Sequence, residues 1–322
     1  MHDGQRLFAG IDVGGTKING ILATATGKVV AQKSIATGAG ADPDLSIVRI
    51  AKLAQMLADE VAVSPIALGV GMPGCVDKAT GKVIFLPNMS NRWSNYPVGS
   101  ALADILRVPV VLANDARMAT LGEYTFGLNA CVSDLLMVTI GTGIGGGMIL
   151  DGRLRLGSYG AAGELGHHVI QSNGPRCSCG GRGCLEALVS GPLLEADGAE
   201  LVRSLSAPIL SHLVNGSPEK VTTREMAIAA REGDSEVARA IRVRAEYLGI
   251  GIANAISITA VNYVVLAGGV SALDELLLEP VRTTVEQNVR MFPPAEIRIA
   301  RTTLGQNTGA LGCVAFAAAQ FA

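Results

Sequence analysis

Short apolar segments alternate along the chain with longer stretches whose apolar residues recur at helical spacing. The segments at residues 7–11, 18–22 and 29–33 predict an opening meander of strands. Those at 66–70 and 108–112 carry no charge, which is typical of strands buried on both faces. This alternation of strand and helix patterns predicts an α/β fold.

Several helices are predicted between and after these strands. Asp42 and Pro43 are typical of a helix start, and residues 116–124 continue directly from an apolar strand. Residues 224–256 predict two helices broken near Gly233, and the Ala-rich segment 307–321 predicts a closing helix. We assign the apolar face of the first helix to five residues: Leu45, Val48, Leu53, Met56 and Leu57.

Two segments of the chain resemble each other. Residues 9–16 and residues 138–145 each combine a strand, a glycine-rich turn that holds a threonine, and a following strand. Such a duplication predicts two related domains that face a cleft. We place the domains at residues 1–117 and 118–306.

The charge balance argues against polyanionic partners. Lys plus Arg number 26 and Asp plus Glu number 28, so the formal net charge of −2 predicts binding neither to nucleic acid nor to an anionic membrane. The N-terminus shows no basic and apolar leader. The uncharged segment 248–273 divides into a helical half and a strand half, so it is not expected to span a membrane. We therefore expect a cytoplasmic protein.

Glycine is in excess, at 40 of 322 residues, or about 12% where about 7% is usual. Glycine-rich turns let successive backbone N–H groups point at one anion, so we expect the turns at residues 12–17 and 141–147 to hold a polyphosphate. The alternative for either turn is a plain connection between strands. A third junction, at Gly268 and Gly269, follows another strand.

The turn at residues 141–146 also matches the G-x-G-x-x-G fingerprint of dinucleotide-binding proteins. That fingerprint requires a helix to begin at the last glycine, whereas here a strand pattern continues through 148–150 and turns at Asp151. A protein-kinase glycine loop is also a hairpin, but its HRD and DFG elements are missing from the sequence. Both of these interpretations are therefore rejected.

Two acidic residues follow apolar strands. Asp12 could orient the water shell of a nucleotide-bound Mg²⁺, and Lys17 could offset phosphate charge or be an ordinary exposed lysine. Asp115 follows the strand at 108–112, where ligands of open α/β sheets collect, so we predict that it accepts the proton of a substrate hydroxyl. The alternative is that Asn114 or Asp115 only caps the next helix.

A cysteine cluster predicts a metal site. Cys177, Cys179 and Cys184 follow His167 and His168, and three thiolates with one imidazole form a closed tetrahedral site suited to structural zinc. Either histidine could complete the set. The remaining cysteines, Cys75, Cys131 and Cys313, are predicted to be small core residues.

Polar groups flank this cluster. Glu164 lies just before it and Glu186 just after it, and a metal site that fixes two carboxylates and a histidine would preorganise a pocket for sugar hydroxyls. The alternative for Glu186 is an ordinary acidic residue in the first turn of a helix.

Five motifs together resemble the ROK family of sugar kinases, within the larger hexokinase and actin-like ATPase group. They are DVGGTK at 12–17, GMPGCVD at 71–77, NDA at 114–116 with GE at 122–123, GTGIGGG at 141–147, and GELGH at 163–167 with CSCGGRGCLE at 177–186. The resemblance extends over essentially the whole chain, and the last motif is the most specific.

The resemblance implies two actin-like ATPase domains of ribonuclease H type with a cleft between them, the C-terminal helix 307–322 packing on the first domain, and a homodimer. It implies ATP with Mg²⁺ as cosubstrate and structural Zn²⁺ on His167, Cys177, Cys179 and Cys184. Asp115 is implied as the base. The implied sugar site comprises Gly74, Asn88, Asn114, Asp115, Glu164, His167 and Glu186. The implied nucleotide site comprises Asp12, Gly14, Gly15, Thr16, Lys17, Gly141, Thr142, Gly143, Gly268 and Gly269.

The chain departs from the family pattern after Asn88. The family continues there with a short Gly-Trp turn, whereas residues 89–96 are one residue longer and lack the glycine. The expected reaction is phosphorylation of a hexose, with O6 of glucose as first choice and N-acetylmannosamine, N-acetylglucosamine or fructose as alternatives. A DNA-binding repressor of the same family would need a helix-turn-helix ahead of residue 7, and a non-catalytic sugar sensor would not need Asp115.

Overall fold

The computed structural model describes residues 6–38, 42–77, 79–86 and 91–322. Strands and helices alternate as the sequence predicts. The strands are β1 (Leu7–Val13), β2 (Lys17–Thr24), β3 (Val29–Ala36), β4 (Ala67–Met72), β5 (Cys75–Asp77), β6 (Lys82–Phe85), β7 (Val110–Asn114), β8 (Leu135–Ile140), β9 (Ile144–Leu150), β10 (Arg153–Arg155), β11 (Tyr263–Ala267) and β12 (Arg298–Arg301). The helices are α1 (Pro43–Val61), α2 (Val98–Leu106), α3 (Asp115–Gly122), α4 (Gly191–Arg203), α5 (Pro208–Leu213), α6 (Thr223–Arg231), α7 (Ser235–Thr259), α8 (Glu275–Asn288) and α9 (Thr308–Phe321).

Two five-stranded sheets have the same strand order. The first is β3-β2-β1-β4-β7, with the β1–β2 and β2–β3 pairs antiparallel and the β1–β4 and β4–β7 pairs parallel. The second is β10-β9-β8-β11-β12, with β9–β10 antiparallel and β11–β12 parallel. An antiparallel meander followed by two further strands is thus used twice, which agrees with the predicted duplication and confirms the α/β class.

The chain forms two compact units. Unit 1 comprises Met1–Met137, Gly146–Gly163 and Thr302–Ala322, and unit 2 comprises Val138–Gly145 and Glu164–Arg301. The C-terminal helix α9 therefore belongs to the same unit as the first sheet.

Helix α1 begins as predicted but buries a different face. The Asp42 side chain accepts a hydrogen bond from the Asp44 N–H at 2.9 Å, and Pro43 occupies the first turn. The residues that face the core are Ile47, Ile50, Ala51, Leu53, Ala54, Leu57 and Ala58. The prediction was right for Leu53 and Leu57 and wrong for Leu45, Val48 and Met56, of which Leu45 is 62% and Val48 57% exposed. These three lie on the opposite side of the helix because they are out of phase with the 47-50-54-57 spacing.

Helix α9 packs against the first sheet, as predicted for the C-terminal helix. Glycines in the strands make this packing close: a Cβ on Gly10 would lie 2.1 Å from the Ala310 carbonyl oxygen, and one on Gly69 would lie 2.0 Å from that of Cys313. Part of the glycine excess therefore serves backbone contact between α9 and the sheet. This role adds to the ligand-binding turns that the glycine excess predicts.

The uncharged segment 248–273 divides as predicted. Its first part completes α7 and its second part contains β11. Within the described ranges, no helix combines the length and the apolar character needed to cross a bilayer.

Candidate active site

Asn114 and Asp115 lie at the junction of β7 and α3. The Asn114 Oδ1 accepts hydrogen bonds from the N–H groups of Ala116 at 2.9 Å and Arg117 at 3.2 Å, so Asn114 is the N-cap of α3. Its Nδ2 donates to the Gly74 carbonyl at 2.9 Å. The capping alternative therefore applies to Asn114, while Asp115 is the first helical residue and also accepts from the Ala116 N–H at 2.8 Å.

Arg117 is a member of this junction that the sequence analysis missed. Its side chain is 1% exposed, and its Nη1 donates to the Asn114 Oδ1 at 3.0 Å. A buried guanidinium therefore fixes the Asn114 amide from inside the unit. The available sequence signal was a lone arginine among the mostly small and apolar residues 116–122.

The first sheet brings Asp12 and Asp115 to one edge. In the register of the parallel strands, Asp12 of β1 pairs with Gly71 of β4, and Met72 of β4 pairs with Asn114 of β7. Side chains at the carboxyl ends of neighbouring parallel strands lie close together, which is the usual position of ligand sites in α/β sheets.

The electrostatics of this edge act mainly on Asp12. Burial, and after it the negative charge of Asp115, raises the pKa of Asp12 to about 7, while Lys17 lowers it. The Asp12 carboxylate lies over the first turn of α9, since a Cβ on Gly309 would come 2.4 Å from its Oδ2. A cation bound at this edge would act in the opposite direction and lower the pKa of Asp12.

The first glycine turn is open to solvent. The Gly14 N–H donates to the Lys17 carbonyl at 3.0 Å, and the Gly14 carbonyl accepts from the Thr37 hydroxyl at 2.7 Å. No atom lies within 4 Å of a Cβ built on Gly15. Thr16 is exposed, as is Lys17, whose Nζ donates to Gln306 Oε1 at 3.0 Å.

The second glycine turn, between β8 and β9, is held from two sides. The Gly141 N–H donates to the Gly143 carbonyl at 2.9 Å, and the Gly141 carbonyl accepts from the Gly191 N–H at 2.8 Å, where α4 begins. The Ile144 N–H donates to Glu186 Oε2 at 2.9 Å. Thr142, in the middle of the turn, is exposed.

The third glycine junction lies against the end of β8. Gly268 has a φ of 86°, and a Cβ there would lie 2.3 Å from the Ile140 carbonyl oxygen, so only glycine fits on both counts. Gly269 has open space around it. In unit 2 this places the third junction beside the strand that leads into the second glycine turn.

His167, Cys177, Cys179 and Cys184 form a cluster with metal-ligand spacing. Their ligand atoms all lie within 4.8 Å of one another. The sulfurs of Cys179 and Cys184 are 3.8 Å apart, and the Cys177 sulfur is 3.6 Å from the His167 Nδ1. Two thiolates bound to one tetrahedral zinc at 2.3 Å lie about 3.8 Å apart, so the donor set and its spacing fit this ion.

The two adjacent histidines point to different partners. The His167 Nε2 lies 4.0 Å from Glu164 Oε2, so this ring faces the cluster with one nitrogen and a carboxylate with the other. The His168 Nδ1 contacts the Leu165 carbonyl oxygen instead. This arrangement favours His167 over His168 as the fourth ligand.

The thiols differ in their acidity. Burial, and then hydrogen bonding with Cys179 and Cys177, raises the pKa of Cys184 to about 12. The pKa of Cys179 is lowered, mainly because its sulfur accepts a hydrogen bond from the Gly181 backbone. A cation in the cluster would stabilise all three thiolates.

The other cysteines only partly match their prediction as core residues. Cys313 is buried in α9, where its thiol donates to the Ile11 carbonyl at 3.3 Å. Cys75 is half-buried. The prediction was wrong for Cys131, which is exposed because it lies in the loop between α3 and β8.

The segment that departs from the family pattern is only partly described. Residues 87–90, which include Asn88, lie outside the described residues. Beyond them, Trp93 is buried, the Arg92 Nη1 donates to Asp42 Oδ2 at 2.9 Å, and the Tyr96 hydroxyl donates to Asp44. The described end of the segment is therefore attached to the first turn of α1.

Comparison with known proteins identifies the family. The sequence model of the ROK family matches residues 8–320, and the chain belongs to this family. A glucokinase of Thermotoga maritima is 34% identical over 304 residues, which cover 94% of each chain. A xylose repressor of Caldicellulosiruptor bescii is 31% identical over 309 residues, which cover 95% of this chain but 76% of the repressor.

Solved structures agree with this assignment. A ROK family glucokinase from Streptomyces griseus, crystallised with glucose and AMPPNP, superposes with a TM-score of 0.87 at 30% identity, covering 97% of this chain and 99% of that one. The resemblance to the ROK family and the α/β, actin-like ATPase fold predicted from the sequence are thus confirmed.

Proposed function

We propose that the protein is an ATP-dependent sugar kinase that phosphorylates a hexose hydroxyl, with O6 of glucose as first candidate. The observation that carries the proposal is the position of Asp115, at the carboxyl edge of the first sheet and close enough to Asp12 to act on its pKa. The similarity to glucokinases over almost the whole chain supports it.

Asp115 is the general base of the proposed reaction. Its carboxylate accepts the proton of the sugar hydroxyl while the hydroxyl oxygen bonds to the γ-phosphorus, and the bond from that phosphorus to the bridging oxygen breaks to release ADP. Phosphoryl transfer has a loose transition state, so positioning and charge neutralisation contribute more than the base.

Three glycine turns hold the nucleotide in this proposal. The first turn comprises Gly14, Gly15 and Thr16, of which Gly15 and Thr16 are exposed, and in the second turn Thr142 is exposed between Gly141 and Gly143. Gly268 and Gly269 form the third turn. Mg²⁺, when bound, would supply positive charge to the triphosphate. Asp12 would orient the water shell of this ion, and Lys17 would offset phosphate charge.

The proposed sugar site consists of polar groups that can pair with sugar hydroxyls. Asn114 already uses one amide hydrogen on the Gly74 carbonyl, so it offers the sugar its second one. The full proposed set is Gly74, Asn88, Asn114, Asp115, Glu164, His167 and Glu186. Carboxylates accept hydrogen bonds from sugar hydroxyls, whereas amide and imidazole N–H groups donate to them.

We also propose that His167, Cys177, Cys179 and Cys184 bind one structural Zn²⁺. Four protein ligands close a tetrahedral site, so the ion would stabilise the loop and have no free position for a substrate. We further propose that the protein acts as a homodimer, as the family resemblance implies.

A coupled ADP-release assay tests the catalytic proposal. Purified protein with ATP and Mg²⁺ is offered glucose, N-acetylmannosamine, N-acetylglucosamine and fructose in turn, with Asp115→Asn as the control. We expect turnover with glucose and its loss in the variant. Glucose binding without ADP release from any of the sugars would instead indicate a sugar sensor, the function suggested by the similarity to xylose repressors.

A further inference from the structure

The Glu186 carboxylate connects two loops of unit 2. Its Oε2 accepts a hydrogen bond from the Ile144 N–H at 2.9 Å, in the turn after Gly143. Its Oε1 accepts one from the Ser178 hydroxyl at 2.9 Å, and Ser178 lies between the candidate metal ligands Cys177 and Cys179. One side chain therefore holds the glycine turn with one oxygen and the metal-ligand loop with the other.

The Glu186 carboxylate packs directly against Gly143 in the second glycine turn. A Cβ on Gly143 would lie 2.2 Å from Glu186 Oε2, whereas a Cβ on Gly141 would meet no atom within 4 Å. An alanine at position 143 would therefore displace the Glu186 carboxylate, which is the end of a flexible side chain, whereas an alanine at position 141 would enter open space. The two glycines of the same turn have different roles.

The backbone that carries Glu186 is fixed on its other side. The Leu185 N–H donates to the His168 carbonyl at 3.1 Å. Arg244 donates from its Nη1 to the Leu188 carbonyl at 2.7 Å and pairs through Nε and Nη2 with both carboxylate oxygens of Asp197, each at 2.7 Å. Because this segment is anchored, the direction of the Glu186 carboxylate depends on the partners of its two oxygens.

The metal-ligand loop, residues 177–184, contacts one oxygen of Glu186 twice. The Cys177 thiol lies 3.8 Å from Glu186 Oε1, the same oxygen that accepts from the Ser178 hydroxyl, so the position of this loop determines both contacts. With the cation bound, the loop keeps its position and the Ser178 hydroxyl remains on Oε1. Without the cation, both the loop and the carboxylate lose this restraint.

We propose that Ser178 is a positioning residue that, through Glu186, transmits the ordering of the metal-ligand loop to the Gly141–Gly145 turn. The contacts that hold the turn do not depend on the reaction, whereas their consequence for nucleotide binding rests on the proposed function. A hydrogen bond to a charged acceptor contributes more to stability than a hydrogen bond to a neutral acceptor. Loss of the bond from the Ile144 N–H to the Glu186 carboxylate should therefore be measurable at that N–H.

Amide hydrogen exchange at Ile144 tests this directly. The comparison uses metal-loaded wild type, Ser178→Ala, Ser178→Thr and the control Ser206→Ala, an exposed serine elsewhere in unit 2. We expect exchange about tenfold faster in Ser178→Ala, near wild-type exchange in Ser178→Thr and Ser206→Ala, and wild-type metal content in all. Chelated wild type should exchange as fast as Ser178→Ala, and chelation should add little to that variant.

Unchanged exchange in Ser178→Ala would overturn the inference, as would loss of metal from that variant, since Ser178 would then act on the metal site itself. Nucleotide affinity is measured separately by calorimetry with an ATP analogue. We expect weaker binding to Ser178→Ala, by about three- to tenfold. If the protein binds no nucleotide at all, the proposed function fails, but the exchange measurement still decides the role of Ser178.

Discussion

Burial, and after it the negative charge of Asp115, raises the pKa of Asp12 from its usual 3.8 to about 7. The two residues come from different strands and are 103 positions apart in the sequence, yet the strand register places both at one edge of the first sheet. An acidic pair of this kind is costly to an empty protein and useful to one that binds a cation with its substrate.

Asp12→Asn should therefore stabilise the ligand-free protein, and more so at high pH. The folded state keeps the Asp12 proton up to about pH 7, whereas the unfolded state loses it near 3.8. The resulting contribution to stability is complete below about pH 4 and is lost as the pH rises through 7. Because asparagine does not titrate, we expect the variant to melt at least about 3 °C above wild type at pH 8, with a smaller difference at pH 5.

Thermal melts without nucleotide or Mg²⁺ at pH 5, 6, 7 and 8 measure this difference. Asp59→Asn, an exposed position on α1, controls for the loss of one negative charge and should give a flat difference. A melting difference between Asp12→Asn and wild type that does not grow from pH 5 to pH 8 would contradict the assignment of a raised pKa to Asp12.

Asp115→Asn should separate catalysis from folding. Because the Asn114 side chain already caps α3, the substitution at position 115 should shift the melting temperature by no more than about 2 °C. Turnover with glucose should fall by about 10²- to 10⁴-fold, because the general base is lost, while glucose affinity changes by less than about threefold. Steady-state kinetics and calorimetry measure the two effects.

The exposed Asp104→Asn on α2 is the matched control for this variant and should keep wild-type kinetics. Turnover of Asp115→Asn close to that of the control would remove Asp115 from the proposed mechanism.

His167→Asn and His168→Asn should differ in metal content. The His167 Nδ1 lies 3.6 Å from the Cys177 sulfur, whereas the His168 Nδ1 contacts the Leu165 carbonyl. We expect about one zinc per chain in wild type and in His168→Asn, and less than about half of that in His167→Asn after dialysis. Elemental analysis of the purified proteins measures this. Zinc retained in His167→Asn and lost in His168→Asn would reverse the ligand assignment.

The junction of β7 and α3 shows how far the sequence could predict this site. An uncharged strand followed by Asn114 and Asp115 was enough to predict that polar groups lie at the sheet edge. It was not enough to decide which residue caps the helix, because asparagine and aspartate cap equally well and only the backbone geometry distinguishes them. Arg117 was missed because its burial depends on the tertiary packing of α3.

The other errors have two causes. In α1, Leu45 and Val48 are out of phase with the 47-50-54-57 spacing, so the five residues assigned to one face did not follow a single helical period. Gly69 is part of an ordinary buried strand in sequence, and its contact with Cys313 comes from a helix 244 positions later. A local pattern predicts an element and its approximate bounds, but not the distant backbone that packs against it.

Gly69→Ala should test whether glycine is needed where α9 meets the sheet. The new Cβ would lie 2.0 Å from the Cys313 carbonyl oxygen, and neither backbone can move without separating β4 from α9. We expect a loss of about 1–3 kcal/mol or more in the free energy of unfolding. Gly15→Ala is the matched control, since its Cβ enters open space, and it should change stability by less than about 0.5 kcal/mol. Urea unfolding followed by circular dichroism measures both variants. Equal unfolding midpoints for the two would show that α9 moves freely on the sheet and that the close contact at Gly69 does not restrict the residue at this position.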